Sequence, residues 1–281
     1  MITQNTVITI VGLGLLGGSY AEGLAREGYR VRGIDADPEA VAYARKKEWI
    51  EEGSTDPSLV RGSDLVIFAL YPHVFVSWIK EHQQELKPGC LITDVTGVKR
   101  KVIEAVNRIL RKDVEYIACH PMAGREFRGI AYSDANRFRQ ANFLIVPTKE
   151  NTESAIETAK QLAEILQFHH IAVLSPEEHD QMIGYLSQLT HVIAVCLMNA
   201  NDSTHLAQYT GDSFRDLTRI AKINENMWPE LFILNKDYLI AEIDAFEREL
   251  QSFRKMIDEE DTEGMKQKMI QSTERRKCFD R

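Results

Sequence analysis

Apolar and polar residues along the first part of the chain predict strands and helices in alternation. Short apolar runs, typical of strands covered on both faces of a sheet, recur between segments with helical spacing. The predicted strands cover 7–11, 29–35, 64–70, 90–94, 116–119, 142–146 and 170–173. The predicted helices between them cover 16–27, 38–47, 72–85, 99–110 and 152–166. This alternation predicts an α/β fold with a doubly wound, mostly parallel sheet.

The pattern changes near Ser175-Pro176, after which helical spacing continues without strands. Helices are predicted over 178–201, 213–223, 227–257 and 261–276, with an acidic run at 258–261 between the last two. We therefore predict an α/β domain over 1–174 and an all-helical domain over 175–281. Long, partly apolar helices in a small domain often pair with a second subunit, so we expect a homodimer formed through the helical domain.

Composition narrows the classes of partner. The 281-residue chain has a formal net charge of −8, which disfavours non-specific binding to nucleic acid. Its four cysteines have no metal-type spacing, so we expect reduced thiols, no metal site and a cytoplasmic location. We also expect no signal peptide, because no basic region precedes the first apolar stretch, which is predicted as a strand. We expect no membrane partner, because no apolar run approaches the ~18–20 residues that span a bilayer.

A glycine-rich turn after the first predicted strand indicates a nucleotide ligand. Gly12 permits a tight turn, Gly14 lets the backbone approach a pyrophosphate, and Gly17 lets the next helix pack against the strand. Asp35 follows about twenty residues later, where a carboxylate binds ribose hydroxyls and repels a 2′-phosphate. The pattern predicts a Rossmann-type NAD-binding domain. The predicted cofactor-binding residues are Gly12, Gly14, Leu15, Leu16, Gly17 and Asp35. The alternative is a glycine turn without a ligand, with Asp35 capping the helix near Pro38.

Two other segments leave predicted strands where ligands bind in open α/β sheets. His120 ends an apolar strand and precedes a loop containing Pro121 and Gly124. It is placed to exchange a proton near a nicotinamide, or it is a structural histidine of that loop. Thr96 leaves another strand and is placed to bind substrate or orient His120, or it is the N-cap of the next helix.

The helical part has polar residues of its own. Asp180, Gly184, Ser187 and His191 share one face of a helix by their spacing. Arg215 and Arg219 are four residues apart and face either a carboxylate in a common pocket or solvent. The spacing alone does not decide between these alternatives.

Taken together, these segments resemble the prephenate/arogenate dehydrogenases of tyrosine biosynthesis over nearly the whole chain. The resemblance depends on six segments: GLGLLGGS at 12–19, TDVTGVK at 93–99, HPMAGRE at 120–126, HD at 179–180, SQLTH at 187–191 and FRDLTRIA…MW over 214–228. It implies an NAD-dependent oxidative decarboxylation. A hydride leaves C4 of a cyclohexadienyl substrate, a carboxylate leaves as CO₂, and the ring becomes aromatic. Prephenate would give 4-hydroxyphenylpyruvate, and arogenate would give tyrosine.

The resemblance also implies roles for individual residues. His120 corresponds to the catalytic histidine that accepts the proton of the C4 hydroxyl. The implied substrate-binding residues are His191, Arg219, Glu126, Arg215 and Trp228. Two segments depart from the family pattern. Thr96-Gly97 stands where many members have Gly-Ser, and Gly211-Asp212-Ser213 stands where many members have a glycine run. Thr96 is therefore the candidate to replace the missing serine hydroxyl.

Two other kinds of protein remain as alternatives. A β-hydroxyacid dehydrogenase or imine reductase has a similar two-domain layout. Such enzymes often place a catalytic lysine on the first long helix after the nucleotide-binding domain, where this chain has Asp180, Ser187 and His191. An NAD-binding regulatory protein without catalysis is the non-enzyme alternative.

Overall fold

An eight-stranded sheet forms the centre of the computed structural model, which describes residues 1–124 and 126–279. The strand order is β3-β2-β1-β4-β5-β6-β7-β8. The strands are β1 Ile8–Val11, β2 Val31–Ile34, β3 Glu52–Ser54, β4 Leu65–Phe68, β5 Leu91–Asp94, β6 Glu115–Pro121, β7 Asn142–Val146 and β8 His170–Val173. Neighbouring strands are parallel except for β6 and β7, which pair antiparallel. The sheet is thus mostly parallel, as the alternating pattern predicts.

Helices cover both faces of this sheet. The flanking helices are α1 Leu15–Arg26, α2 Pro38–Lys46, α3 Pro72–His82, α4 Arg100–Ile109 and α5 Glu153–Ile165. One core cluster contains buried residues of α1, α2 and α5, and a second contains those of α3 and α4. The chain reverses its direction across the sheet between β1 and β4, and ligands bind beyond the carboxyl ends of the strands at such a point.

Within the described residues, the chain after β8 is helical. The helices are α6 Pro176–Ile183, α7 Thr190–Asn199, α8 Leu206–Tyr209, α9 Asp212–Thr218, α10 Trp228–Leu234, α11 Lys236–Asp258 and α12 Thr262–Arg276. A capping box of Ser175 and Glu178 begins α6, and a π-helical turn, Gly184–Leu189, joins α6 to α7. The predicted fold class, a Rossmann-type doubly wound sheet followed by helices, is confirmed.

The chain forms two compact units, Met1–Asn235 and Lys236–Arg281. The first unit contains the whole sheet and the helices up to α10. The second contains α11 and α12, and Lys268 of α12 pairs with Glu249 of α11 at 2.5 Å. The side chain of Asp261 caps the start of α12 by accepting a hydrogen bond from the backbone N–H of Gly264.

The prediction of one continuous helix over 227–257 is wrong, because the helix breaks at Asn235. The Asn235 side chain is fully buried and donates to the backbone carbonyl of Asp180 at 2.9 Å and to the Gln188 side chain at 2.8 Å. Its backbone (φ −121°, ψ 25°) lies outside the α-helical region. The apolar periodicity continues across this position, so it gave no sign of the break.

The helical run Pro176–Asn199 is long and apolar enough to cross a bilayer by length and composition, and 28% of its most apolar window is buried. Buried helices of proteins without membrane segments also meet this criterion. This run contains fully buried His179 and Asp180, which hydrogen-bond to residues of the α/β part. Its exposed apolar residues include Met182, Tyr185 and Leu186.

Candidate active site

The turn between β1 and α1 has the geometry that its three glycines predict. Gly12 has φ +93°, a left-handed conformation that side chains disfavour. A Cβ on Gly17 would lie 1.8 Å from the carbonyl oxygen of Gly12, so only glycine lets α1 pack this close to the turn. A Cβ on Gly14 would meet nothing within 4 Å, so the backbone there borders open space.

The first turn of α1 fits a bound pyrophosphate. Its N-cap is Gly14, which has no side chain to cap the helix, and its first turn contains no acidic residue. Leu15 and Leu16 begin the helix beside this open space. Their backbone N–H groups and the positive end of the helix dipole are suited to an anionic group.

Asp35 lies next to this turn and is tied to it. Its Oδ2 accepts a hydrogen bond from the backbone N–H of Leu13 at 2.6 Å, and its Oδ1 accepts one from Asp37 at 2.8 Å. The cap of α2 is Asp37, whose carboxylate accepts from the backbone N–H of Glu39. The alternative in which Asp35 caps this helix is therefore wrong, and its carboxylate borders the predicted nucleotide site.

His120 lies near the carboxyl end of β6, is half-buried, and begins a hydrogen-bonded series of polar side chains that continues into the interior. Its Nδ1 is 3.0 Å from Nε2 of His179, and Nδ1 of His179 is 2.8 Å from Oδ1 of Asp180. The Asp180 carboxylate also accepts backbone N–H bonds from Lys99 at 2.8 Å and Arg100 at 2.9 Å. These two residues begin α4, whose N-cap lacks a side-chain bond of its own, so Asp180 caps α4 from α6.

The surroundings of these hydrogen-bonded side chains favour the neutral forms of His120 and His179. Burial lowers the pKa of His120 well below its ordinary value, and His179 and Lys99 lower it further. Burial also lowers the pKa of His179, although Asp180 opposes the effect. For Asp180, burial alone would raise the pKa, but His179 and the backbone N–H groups of Arg100 and Lys99 hold it below its ordinary value.

A buried ion pair lies at the start of the loop after β5. The side chains of Asp94 and Lys99 are fully buried, and Lys99 Nζ is 2.7 Å from Asp94 Oδ2. The Asp94 carboxylate also accepts hydrogen bonds from the hydroxyls of Thr96 at 2.5 Å and Tyr116 at 2.8 Å. Such a buried pair requires this many hydrogen bonds because its two charges have left water.

Thr96 belongs to this buried cluster. Besides Asp94, its hydroxyl lies 3.2 Å from Lys99 Nζ and 3.0 Å from the carbonyl oxygen of Val98. The alternative in which Thr96 is the N-cap of α4 is wrong, because Lys99 occupies that position. The next residue, Gly97, is the one that approaches the catalytic candidate, since a Cβ there would lie 3.9 Å from both Nε2 and Cε1 of His120.

Four of the residues predicted to bind substrate form two contacting pairs. The rings of His191 and Trp228 pack with their centroids 3.8 Å apart and their planes at 32°. Arg219 forms an ion pair with Glu126. Burial lowers the pKa of His191, and its Nδ1 bonds to the carbonyl of Ser187 at 2.8 Å. The charge of Glu126 raises that same pKa and the charge of Arg219 lowers it, so the ion pair lies near His191.

The ion pair of Arg215 is with a residue outside this group. Arg215 is exposed on α9, where it pairs at 3.0 Å with the exposed Asp212 of the same helix. Conversely, the sequence did not assign a role to His179 or Lys99, which contact the site directly. The HD pair at 179–180 was a signal, but no spacing within the chain connects it with His120.

A dinucleotide-type turn, a half-buried histidine at the carboxyl edge of the sheet and a helical C-terminal part are together typical of a dehydrogenase of two-part architecture. Comparison with family models identifies the family within this class. The model described as prephenate dehydrogenase, nucleotide-binding domain, matches residues 20–172, and the model described as prephenate dehydrogenase, dimerization domain, matches residues 175–271. The chain belongs to the prephenate dehydrogenase family, and the predicted resemblance is confirmed.

Individual relatives agree with this family. The chain is 29% identical over 274 residues to the prephenate dehydrogenase of Bacillus subtilis, covering 94% of this chain and 74% of that protein. It is 26% identical to the cyclohexadienyl dehydrogenase of Zymomonas mobilis, covering 90% and 89%. Among solved structures, the prephenate dehydrogenase of Aquifex aeolicus in complex with hydroxyphenyl propionate and NAD+ has a TM-score of 0.90 at 29% identity, covering 98% of each chain.

Proposed function

We propose that the protein is an NAD-dependent prephenate dehydrogenase, which converts prephenate to 4-hydroxyphenylpyruvate in tyrosine biosynthesis. Arogenate is the second candidate substrate, because a relative of this chain is named cyclohexadienyl dehydrogenase and another is named a probable arogenate/prephenate dehydrogenase. The observation that carries the proposal is His120, a neutral histidine near the carboxyl end of β6 and beside the loop of Gly97.

The nucleotide site supports NAD as the cofactor. Gly12 and Gly17 shape the turn, Gly14 leaves room for a pyrophosphate, and the Asp35 carboxylate borders the site. A carboxylate at this position accepts ribose hydroxyls and repels a 2′-phosphate, which favours NAD over NADP. Bound there, NAD supplies the acceptor for the hydride that leaves C4 of the substrate.

His120 is the proposed catalytic base. Its unprotonated ring nitrogen accepts a hydrogen bond, and then the proton, from the C4 hydroxyl as that carbon becomes a carbonyl. Aromatisation drives the loss of the ring carboxylate as CO₂. The low pKa of His120 keeps this nitrogen unprotonated at neutral pH, as a general base requires.

The two contacting pairs supply the proposed substrate pocket. Arg219 is the proposed ligand of a substrate carboxylate, since a guanidinium binds carboxylates through paired hydrogen bonds. The Glu126 carboxylate pairs with this guanidinium in the structure, and a substrate carboxylate would replace Glu126 as its partner. His191, packed on Trp228, is proposed to contact the substrate beside it.

Thr96 and Arg215 have contacts other than the substrate contacts that the resemblance implies for them. The Thr96 hydroxyl has its partners in the Asp94–Lys99 cluster, so we propose that Thr96 supports the loop beneath the substrate. Arg215 would need to leave its ion pair with Asp212 to reach substrate, and its binding role stays a prediction.

The proposed assembly is a cytoplasmic homodimer with a domain boundary near residue 174. The match of 175–271 to a dimerization domain and the exposed apolar side chains of Met182, Tyr185 and Leu186 support a subunit interface on the helical part. Burial of such side chains drives most protein association.

A single assay matrix tests the function. The purified protein is incubated with prephenate or arogenate, each with NAD or NADP, and formation of reduced nucleotide and of aromatic product is followed. We expect turnover with prephenate and NAD. If no reduced nucleotide forms with either prephenate or arogenate, the dehydrogenase assignment is refuted. A preference for NADP would refute the role of Asp35.

A further inference from the structure

His179 and Asp180 have no assigned part in the proposed reaction, yet they are the polar groups that continue from the catalytic candidate into the protein. Both side chains are fully buried. The distances are 3.0 Å from His120 Nδ1 to His179 Nε2 and 2.8 Å from His179 Nδ1 to Asp180 Oδ1. Each ring nitrogen in this chain must be either a donor or an acceptor, so the arrangement of protons can be worked out.

The Asp180 carboxylate determines which atom donates in each hydrogen bond that connects it, through His179, to His120. It is ionised at neutral pH because its pKa is held low, and an ionised carboxylate only accepts hydrogen bonds. It already accepts from the backbone N–H groups of Lys99 and Arg100. The Nδ1 of His179 must therefore carry the proton that it shares with Asp180.

The same reasoning continues to His120. His179 is neutral, so with a proton on Nδ1 its Nε2 is an acceptor. The Nδ1 of His120 must then donate to it. Because His120 is also neutral, its single ring proton is used in this bond and its Nε2 keeps a free lone pair.

We propose that His179 and Asp180 are positioning residues that hold His120 in the tautomer whose Nε2 accepts the proton of the substrate hydroxyl. The proposal rests on the dehydrogenase function proposed above. The O–H bond of the substrate breaks, an N–H bond forms at Nε2, and no proton moves along the chain, as in other relays of this kind. The resulting imidazolium keeps its hydrogen bond to His179.

The position of Gly97 supports this direction for Nε2. A Cβ on Gly97 would be 3.9 Å from Nε2, so the missing side chain leaves room next to this atom on the loop after β5. The other ring nitrogen faces His179. The two ring nitrogens therefore have different neighbours, with His179 at Nδ1 and the loop of Gly97 near Nε2.

A test must separate positioning from folding, because Asp180 also caps α4. Substitution of Asp180 would remove the cap together with the link to His179. The informative variants are His179→Leu, which removes the acceptor for His120, and His179→Gln, whose amide oxygen can replace it. The control is Glu178→Gln on the same helix, since the Glu178 side chain bonds to Ser175 in the capping box.

The experiment combines steady-state kinetics with ¹⁵N NMR of the histidine rings in the full-length protein with NAD bound. We expect the wild-type spectrum at neutral pH to show His120 protonated at Nδ1. His179→Leu should lose this single tautomer and lower kcat by about 10²-fold or more, the lower part of the general-base range, with little change in KM. His179→Gln should recover part of the rate, and Glu178→Gln should retain the wild-type tautomer.

Two results would overturn the proposal: neutral His120 protonated at Nε2 in the wild type, or a wild-type kcat in His179→Leu. NAD binding and the melting temperature show whether each variant is folded, and if His179→Leu does not fold, the wild-type spectrum and His179→Gln still decide. A wild-type protein that turns over neither prephenate nor arogenate would refute the proposed function, while the spectrum would still report the tautomer.

Discussion

A histidine acts as a base only while one ring nitrogen is unprotonated, and the residues around His120 favour that state. Burial, the buried ammonium of Lys99 and the neighbouring His179 all lower its pKa. The ordinary pKa of histidine is about 6.5, so the acid limb of activity should lie below that value. The acid–base range of the reaction is thus a property of a few buried neighbours.

His120→Asn tests this residue directly. The amide can still donate to His179 but cannot accept a proton, so we expect kcat to fall by about 10²–10⁴-fold with NAD affinity retained. Reduced-nucleotide formation measures the first quantity and calorimetric titration the second. His170→Asn, at an exposed histidine of β8, is the control. Unchanged turnover in His120→Asn would remove this residue from the mechanism.

Some residues of the site could be predicted from the sequence and others could not. His120 was found because a polar residue ending an apolar strand lies where open sheets bind ligands. His179 is 59 residues away along the chain, and only the packing of α6 against the start of α4 brings it to hydrogen-bond distance. The burial of Lys99 was missed because lysine side chains are ordinarily solvated.

At the scale of elements, the unit formed by β1, its glycine turn and α1 follows most directly from sequence. The three glycines are needed for local reasons, namely a left-handed backbone at Gly12, open space at Gly14 and close packing at Gly17. The close approach of Gly17 to Gly12 joins residues five positions apart, so the sequence pattern alone can predict it.

Gly17→Ala should disrupt this unit. Its Cβ would lie 1.8 Å from the carbonyl oxygen of Gly12, so α1 or the turn must shift. We expect a loss of about 1–3 kcal/mol in the free energy of unfolding, the usual cost of overpacking, and a weaker affinity for NAD. Gly14→Ala, whose Cβ meets nothing within 4 Å, should keep more of the stability while weakening NAD binding. Denaturant unfolding and NAD titration measure both, and equal stability of the two variants would contradict this account.

Other elements depended on contacts that a periodic pattern does not contain. The π-helical turn Gly184–Leu189 and the break at Asn235 both interrupt segments whose apolar spacing is continuous. Buried Gln188 lies in the π-helical turn and donates to the carbonyl of Leu231, next to the bond it accepts from Asn235. Tertiary hydrogen bonds therefore shape the helices here, beyond what helical propensity specifies.

For the whole molecule, three histidines with lowered pKa values connect folding with pH. The pKa values of His120, His179 and His191 are all lowered in the folded protein. In the unfolded chain these rings take up protons as the pH falls through about 6.5, whereas the folded protein holds them neutral to lower pH. The unfolded state thus binds more protons in this window, so stability is fully present above about pH 6.5 and falls below it.

We therefore expect the melting temperature to decrease as the pH is lowered from 7.5 to about 5.5, below the ordinary histidine pKa. Differential scanning calorimetry over this range measures the effect. His120→Asn removes one of the three groups, so the decrease should be smaller in that variant. A melting temperature that stays constant or rises on acidification would show that the folded protein takes up at least as many protons as the unfolded chain, which would contradict the lowered pKa values.

Asp180 performs two tasks with one carboxylate, because it caps α4 and directs the ring of His179. Selection for heat resistance and selection for turnover therefore meet at the same two oxygen atoms. An engineer who wishes to adjust one property would leave this position alone and work elsewhere on α4 or α6. The architecture thus limits how the protein can be changed in the laboratory, since the cap of α4 cannot be exchanged independently of the hydrogen bond to His179.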